Sequence, residues 1–190
     1  MFEKDALQTR RTALEDEYFH RVDEAMLIRM RESMHREQAK KLLVETLGFE
    51  DDALVEHLLN AGIDAGTVSA LVLVPLVLVA WADGEISSAE RQTIMSEALH
   101  RGLPSTEDAF RLIEHWLEHR PSRQLWTVWC EYTESLRASL PSELERVLSG
   151  SLFNRCKALA QTTTGLLGTP HVSKPAREML DRIQAVLGNV

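Results

Sequence analysis

Cysteine and positive charge are both scarce in this chain, and each scarcity excludes a class of protein. Only two cysteines occur, Cys130 and Cys156, so the sequence predicts neither a disulfide framework nor a thiolate metal site, and we expect both to be reduced core residues. Acidic residues outnumber basic ones by 29 to 21, which gives a formal net charge of −8. A nucleic-acid-binding or anionic-membrane-binding protein needs a clustered basic face, so this balance argues against both and favours cations or basic partners.

Long apolar runs are also scarce. The first residues are charged from Glu3 onward and lack the apolar segment of a secretion signal, which leaves the cytoplasm as the expected location. The longest uncharged run, residues 65–82, reaches the lower limit of a membrane-spanning helix. It contains Gly66 and Pro75, and no Lys or Arg lies close enough to set an orientation. We therefore expect no membrane span, and we interpret the run as a central helix that is buried on all sides.

Helix boundary signals, in contrast, are abundant. Ser87-x-x-Glu90 and Ser142-x-x-Glu145 are capping boxes, in which the serine and glutamate side chains satisfy free N–H groups at a helix start. Further starts are expected at serines 105, 122 and 173, and helix ends at glycines 48, 62, 102, 165 and 188. Between these boundaries the apolar residues recur at helical spacing, and no hairpin signal occurs, so the predicted fold class is all-α.

The segment from Leu71 to Val79 is the one place where a strand competes with a helix. Its alternating Leu and Val residues would also suit a buried strand. Pro75 would interrupt a strand ladder, and the sequence contains no partner strands, so we predict a helix that is either kinked at Pro75 or restarted with Pro75 in its first turn.

The N-terminal part differs from the rest in its dense mixed charge. Pairs at helical spacing, such as Glu17 with Arg21 and Glu37 with Lys41, predict a long exposed helix over residues 3–40. Its apolar positions form a stripe: Leu7, Leu14, Tyr18, Val22, Met26, Met30 and Met34. Three interpretations remain open for this stripe, namely packing on the protein's own body, self-association, or docking into a protein partner. We assign residues 1–60 to an N-terminal helical arm and residues 61–190 to a helical domain.

An internal repeat relates residues 84–94, GEISSAERQTI, to residues 170–180, PHVSKPAREML. Ser87 aligns with Ser173, and Glu90 aligns with Ala176. The second copy therefore keeps a helix start but loses the carboxylates of the first.

The acidic turn after the apolar run has the spacing of the second half of an EF-hand loop. Asp83 and Glu90 could supply carboxylates to Ca²⁺ or Mg²⁺, and Glu85 could offer its carbonyl, because hard cations prefer several converging oxygens. The positions of the two leading acidic ligands are occupied by Val79 and Trp81, so the loop is not a complete EF-hand. A purely structural interpretation is the alternative, in which the turn ends one helix and caps the next.

The same stretch resembles a known family. AWADGEISSAERQTIMSEALHRGL, residues 80–103, is similar to the signature of the TerB-like domain, named for a bacterial tellurite-resistance protein, and LLGTPHVSKPAREML, residues 166–180, resembles the corresponding turn of its second half. The resemblance covers roughly residues 61–190. It implies an all-helical bundle of two related halves that acts as a stress-associated cytoplasmic binding module within larger complexes, not as an enzyme. It also implies divalent-cation binding through acidic residues, which are Asp83, Glu85 and Glu90 in this sequence.

Two further hypotheses assign the protein to other functional classes, a regulator of an ATPase and a zinc enzyme. The segments FEKDALQTRRTALEDEYFH and AKKLLVETLGF resemble the zeta-type inhibitor of bacterial F1-ATPases, which would make the arm a regulator of a rotary ATPase. His115, Glu118 and His119 match the H-x-x-E-H pattern of zinc proteases, in which the histidines bind zinc and the glutamate acts as general base; the alternative for these residues is a solvated ridge at a helix end. Trp126 lies off the apolar stripe of its helix and is a candidate contact residue.

Overall fold

The computed structural model describes residues 2–103, 107–162 and 172–188, with the side chains of residues 2–20, 22 and 23 outside that description. All regular structure in these ranges is helical, which confirms the all-α prediction. In chain order the elements are α1 Phe2–Leu47, α2 Asp52–Asn60, a 3-10 helix η1 Val68–Leu73, α3 Val74–Ala80, α4 Ser88–His100, α5 Asp108–Glu118, α6 Arg123–Ser139, α7 Ser142–Ala160 and α8 Lys174–Leu187. None of these helices is long and apolar enough to cross a membrane.

The chain divides into two compact units, residues 1–41 and residues 42–190. Residues 42–60, which the sequence analysis assigned to the arm, lie in the second unit. Their apolar side chains are buried there, as Leu43 and Leu58 show with 0% exposure each. The predicted long helix is present as α1, and its described side chains from Glu24 to Gln38 are all exposed.

The uncharged run forms the centre of the second unit as a helix that restarts. The 3-10 helix η1 ends at Leu73, and α3 begins at Val74 with Pro75 in its first turn. A proline costs no helical hydrogen bond at that position, because the first N–H groups of a helix have no intrahelical acceptor. Helix α3 packs against α4, α5, α6, α7 and α8, and this explains why the run is apolar on every side.

The helix starts match the sequence signals with one exception. Ser87 and Ser173 are the N-cap residues of α4 and α8, as predicted. The capping box predicted at Ser142 is wrong, because Ser142 lies inside the first turn of α7 and Pro141 is the N-cap. The carboxylate of Glu145 instead accepts a hydrogen bond from Nε of Arg137 at 2.6 Å, so a tertiary ion pair replaces the local cap. The starts and ends predicted at Ser105 and Gly165 fall outside the described residues.

Candidate functional site

The acidic turn is built by the end of α3 and the start of α4. Trp81 is the C-cap of α3, and its carbonyl accepts a hydrogen bond from the N–H of Gly84 at 3.1 Å. Gly84 has a φ of +101°, a left-handed conformation that residues with a side chain rarely adopt. The glycine therefore allows the chain to leave α3 and enter α4 within a few residues.

Glu90 closes this turn from within α4. Its Oε2 accepts hydrogen bonds from the N–H of Ser87 at 2.9 Å and from Oγ of Ser87 at 2.7 Å. In return, Oγ of Ser87 accepts the N–H of Glu90 at 3.2 Å, which completes the predicted capping box. Glu90 is 3% exposed, so the box holds a buried carboxylate.

The three predicted cation ligands thus occupy different environments. Asp83 and Glu85 are exposed on the turn, whereas Glu90 is buried against Ser87. Among the described residues, no three His, Cys, Asp or Glu side chains cluster closely enough to hold a metal ion. Ca²⁺ takes six to eight oxygen ligands, and this turn offers only the carboxylate of Asp83, the carbonyl or carboxylate of Glu85 and what Glu90 can spare from its box. The observed geometry is that of a helix junction, and cation binding stays a prediction.

The two flanks of the turn have a role that the sequence analysis missed. Nε1 of Trp81 donates to the carbonyl of Trp116 at 2.7 Å, and Nη2 of Arg91 donates to the carbonyl of Leu117 at 2.8 Å. These carbonyls belong to the last turn of α5, where no intrahelical N–H remains to satisfy them. The turn and its flanks therefore anchor the end of α5. The sequence offered no signal for this, since the acceptors are backbone atoms about 26 to 35 residues away.

The second copy of the repeat shows what the carboxylate adds. Oγ of Ser173 accepts the N–H of Ala176 at 3.2 Å, the same distance as in the first copy. Ala176 is buried at 7% exposure, as Glu90 is at 3%. The aligned positions thus share burial and the serine cap, and the first copy alone adds the reciprocal bond from a carboxylate.

The H-x-x-E-H residues lie at the exposed end of α5. The rings of His115 and His119 stack with their centroids 4.7 Å apart, and Glu118 lies 3.9 Å from Nη1 of Arg91. The structure does not gather these three side chains into a metal-binding group within the part of the chain it describes. A catalytic zinc needs three protein ligands. The geometry seen here is therefore that of a solvated ridge, and the zinc-enzyme hypothesis gains no support from it.

Trp126 lies in a basic cleft that the sequence analysis did not predict. The indole is half-buried, and the guanidinium of Arg182 lies 4.3 Å from its ring centroid. Arg120 and Arg123 line the same cleft. The candidate contact residue is thus accessible beside three arginines.

Comparisons with protein-family models, with curated proteins and with solved structures found no match to this chain.

Proposed function

We propose that the protein is a non-enzymatic, cytoplasmic binding module of TerB-like type, in which α1 joins two copies of the chain. The observation that carries this proposal is the exposure of apolar side chains on α1. Met26, Leu27, Met30 and Met34 are 62%, 52%, 55% and 70% exposed. Residues four apart lie on one face of a helix, so the three methionines and Leu27 form a continuous apolar face. We call this the methionine face.

The methionine face exposes several neighbouring apolar side chains to solvent, which is unfavourable in water. Isolated exposed apolar residues are normal on protein surfaces, whereas a contiguous apolar patch marks a contact site. Methionine suits such a site because its unbranched thioether side chain adapts to the opposing surface.

A second copy fits this face because α1 complements itself in charge. Residues 2–23 contain six acidic and four basic residues, and residues 24–41 contain three acidic and five basic residues. In an antiparallel pair of α1 helices, the acidic half of one copy lies beside the basic half of the other. Opposite charges that flank an apolar seam set the orientation of paired helices.

The oligomeric state of the full chain tests the proposal. We expect a dimer by light scattering at micromolar concentration, and a monomer for the double substitution Met30→Glu and Met34→Glu with unchanged helix content. Ala25→Glu is the control for the kind of substitution, because it places one glutamate on the opposite side of the same helix and should leave the dimer intact. A wild-type chain that stays monomeric throughout, or a dimer that the double substitution leaves unchanged, would contradict the proposal.

The acidic turn carries the cation-binding part of the proposal. In calorimetric titration with Ca²⁺ or Mg²⁺, we expect weak binding that Asp83→Ala reduces. Glu90→Gln should separate the two roles of that residue, since glutamine still completes a capping box but contributes no negative charge to a cation. If the wild type shows no heat of binding at millimolar cation, the turn is a helix junction alone.

The zinc content of the purified protein tests the enzyme hypothesis. One zinc ion per chain in the wild type, lost in His115→Ala, would favour that hypothesis.

A further inference from the structure

A cavity of about 340 Å³ is lined mainly by residues of α6 and α7, and none of its lining residues belongs to the acidic turn. Its volume is within the range of small-molecule sites, roughly 300–1,000 Å³. Most of the wall is apolar and includes Leu136 and Leu140 from the α6 side and Leu152 from α7, with the indole of Trp129 also lining it. Helices α6 and α7 both pack against α3 and α8.

Two buried hydroxyl residues line this apolar cavity. Among the described residues, the buried polar or charged side chains are Glu90, Thr133 and Ser149. Glu90 is held in its capping box, and the other two both line the cavity. No fully buried side-chain N or O atom of the described residues lacks a hydrogen-bond partner, so these two residues place polar groups in a mostly apolar wall without leaving an unsatisfied atom. Thr133 and Ser149 can each donate one hydrogen bond and accept others.

The rim of the cavity carries an excess of positive charge. Nε of Arg101 donates to Oε1 of Glu97 at 2.7 Å, and Nη1 of Arg155 donates to the same oxygen. Burial by itself would raise the pKa of Glu97, but the hydrogen bonds and charges of the two arginines outweigh it and hold that pKa below its ordinary value. Glu97 is thus ionised at neutral pH and neutralises one of the two guanidinium charges. One positive charge remains at the rim.

The third arginine of the rim is already satisfied. Nε of Arg137 donates to Glu145 at 2.6 Å, and Nη1 donates to the carbonyl of Val186 at 2.7 Å. The net charge of the rim is therefore +1. This sign is opposite to that of the surrounding unit, because residues 42–190 contain 20 acidic and 12 basic residues and so carry the whole formal charge of −8.

We infer that this cavity binds a small amphipathic monoanion, a linear monocarboxylate whose chain contacts the leucines and whose carboxylate pairs with Arg101 and Arg155. The apolar wall matches the chain, and the single excess charge matches one carboxylate better than a dianion such as phosphate. A guanidinium binds a carboxylate through two parallel hydrogen bonds. Thr133 and Ser149 supply further hydrogen bonds inside the cavity. The inference does not depend on dimerisation through α1 or on cation binding at the acidic turn.

Titration of the full-length chain with decanoate, followed by calorimetry and tryptophan fluorescence, tests the inference. We expect saturable binding of one decanoate per chain, and at least about tenfold weaker binding of decyltrimethylammonium and of 1-decanol, because neither can pair with the arginines. Arg155→Gln removes the excess charge and should weaken decanoate binding by about fivefold or more. Arg146→Gln is the matched control on the same helix, since Arg146 is exposed, pairs with Glu143 and lies outside the cavity wall.

A cavity-filling substitution locates the binding. Ser149→Leu places a larger side chain in the cavity and should abolish decanoate binding without loss of helix content. If that variant does not fold, Leu148→Trp makes the same test at a half-exposed position on the wall. Absence of saturable binding at about 1 mM decanoate, equal binding of 1-decanol, or undiminished binding in a folded cavity-filled variant would each overturn the inference.

Discussion

At the scale of single residues, buried polar groups are informative because each must be satisfied by a specific partner. Glu90 illustrates this: its carboxylate is 3% exposed and accepts two hydrogen bonds from Ser87. A buried carboxylate without partners would be costly, so the capping box explains how a glutamate can occupy a position where the second copy of the repeat has an alanine.

Substitutions of Glu90 should therefore affect stability in a graded way. Glu90→Ala removes the reciprocal bond and leaves the N–H of Ser87 without its acceptor, and we expect a loss of about 1–2 kcal/mol in the free energy of unfolding. Glu90→Gln keeps an acceptor and should lose less. Urea denaturation measures both, with Glu85→Ala as the control at an exposed position in the same turn. Equal stability of Glu90→Ala and Glu85→Ala would mean that the box contributes nothing.

The two cysteines should make the free energy of unfolding depend on pH in the alkaline range. Burial raises the pKa of Cys156 to about 12, from an ordinary value of 9.0, and burial also raises the pKa of half-buried Cys130. Because the folded state disfavours the thiolate, this contribution to stability is fully present below pH 9 and is lost as the pH rises towards 12. We expect the free energy of unfolding to fall between pH 9 and pH 11, and to fall less steeply in Cys156→Ala. Identical slopes for the two proteins would assign the fall to other groups, such as Tyr132, whose pKa burial also raises.

At the scale of elements, α2 makes both polar and apolar contacts, and the two kinds differ in how much they stabilise its position. Polar contacts join the α2 segment to α6: Asp51 accepts a hydrogen bond from Oγ of Ser135 at 2.8 Å, and His57 lies 2.7 Å from Glu131. Apolar contacts come from Leu54, Val55 and Leu58, all buried. The His57–Glu131 contact is exposed, and an exposed polar contact of this kind contributes on the order of 0–1 kcal/mol, whereas burial of a leucine contributes more.

The comparison of His57 with Leu58 tests this ranking on adjacent residues. Leu58→Ala should lower the free energy of unfolding by about 2–5 kcal/mol, because Leu58 is 0% exposed and its removal leaves a cavity. His57→Ala should lower it by less than about 1 kcal/mol. Thermal and urea unfolding of the two variants measure the difference. A larger effect from His57→Ala would show that the polar contacts, and not the leucines, hold α2 on α6.

Some helix boundaries could be predicted from the sequence and one could not. The restart of α3 at Pro75 and the caps at Ser87 and Ser173 were predictable, because each depends on the backbone geometry and hydrogen bonds of a few consecutive residues. The cap expected at Ser142 failed because Arg137, eight residues from Glu145, competes for the same carboxylate. Local signals cannot reveal such a competitor, since its position depends on how α6 and α7 are arranged.

At the scale of the whole molecule, charge and core are distributed unequally between the two units. The described core residues begin at Leu43 and lie within residues 42–190, and the same unit carries the entire formal charge of −8. Residues 1–41 contain nine acidic and nine basic residues and are neutral. The first unit is therefore neutral and helical with an apolar face, and the second unit is an acidic helical bundle with its own core.

Removal of residues 1–36 should consequently leave the bundle stable. For a chain that begins at Glu37, which keeps the last turns of α1, we expect cooperative unfolding with a midpoint within about 5 °C of that of the full-length protein measured as a monomer. The Met30→Glu and Met34→Glu double variant supplies that monomeric reference. Calorimetry makes the measurement, and a truncated chain that is unfolded at 25 °C would show that residues 1–36 are part of the cooperative unit.

The sequence by itself determined the helical class, the buried central run and the cap at Ser87, because periodicity and capping are properties of neighbouring residues. Only the tertiary structure decided that Trp81 and Arg91 anchor the end of α5, that Glu145 pairs with Arg137, and that Thr133 and Ser149 share a cavity with Arg155. These arrangements join residues that are up to tens of positions apart. Which residues interact depends on how the helices pack against one another. A hydrophobic pattern identifies the buried face of a helix, but it does not identify the side chains that contact that face.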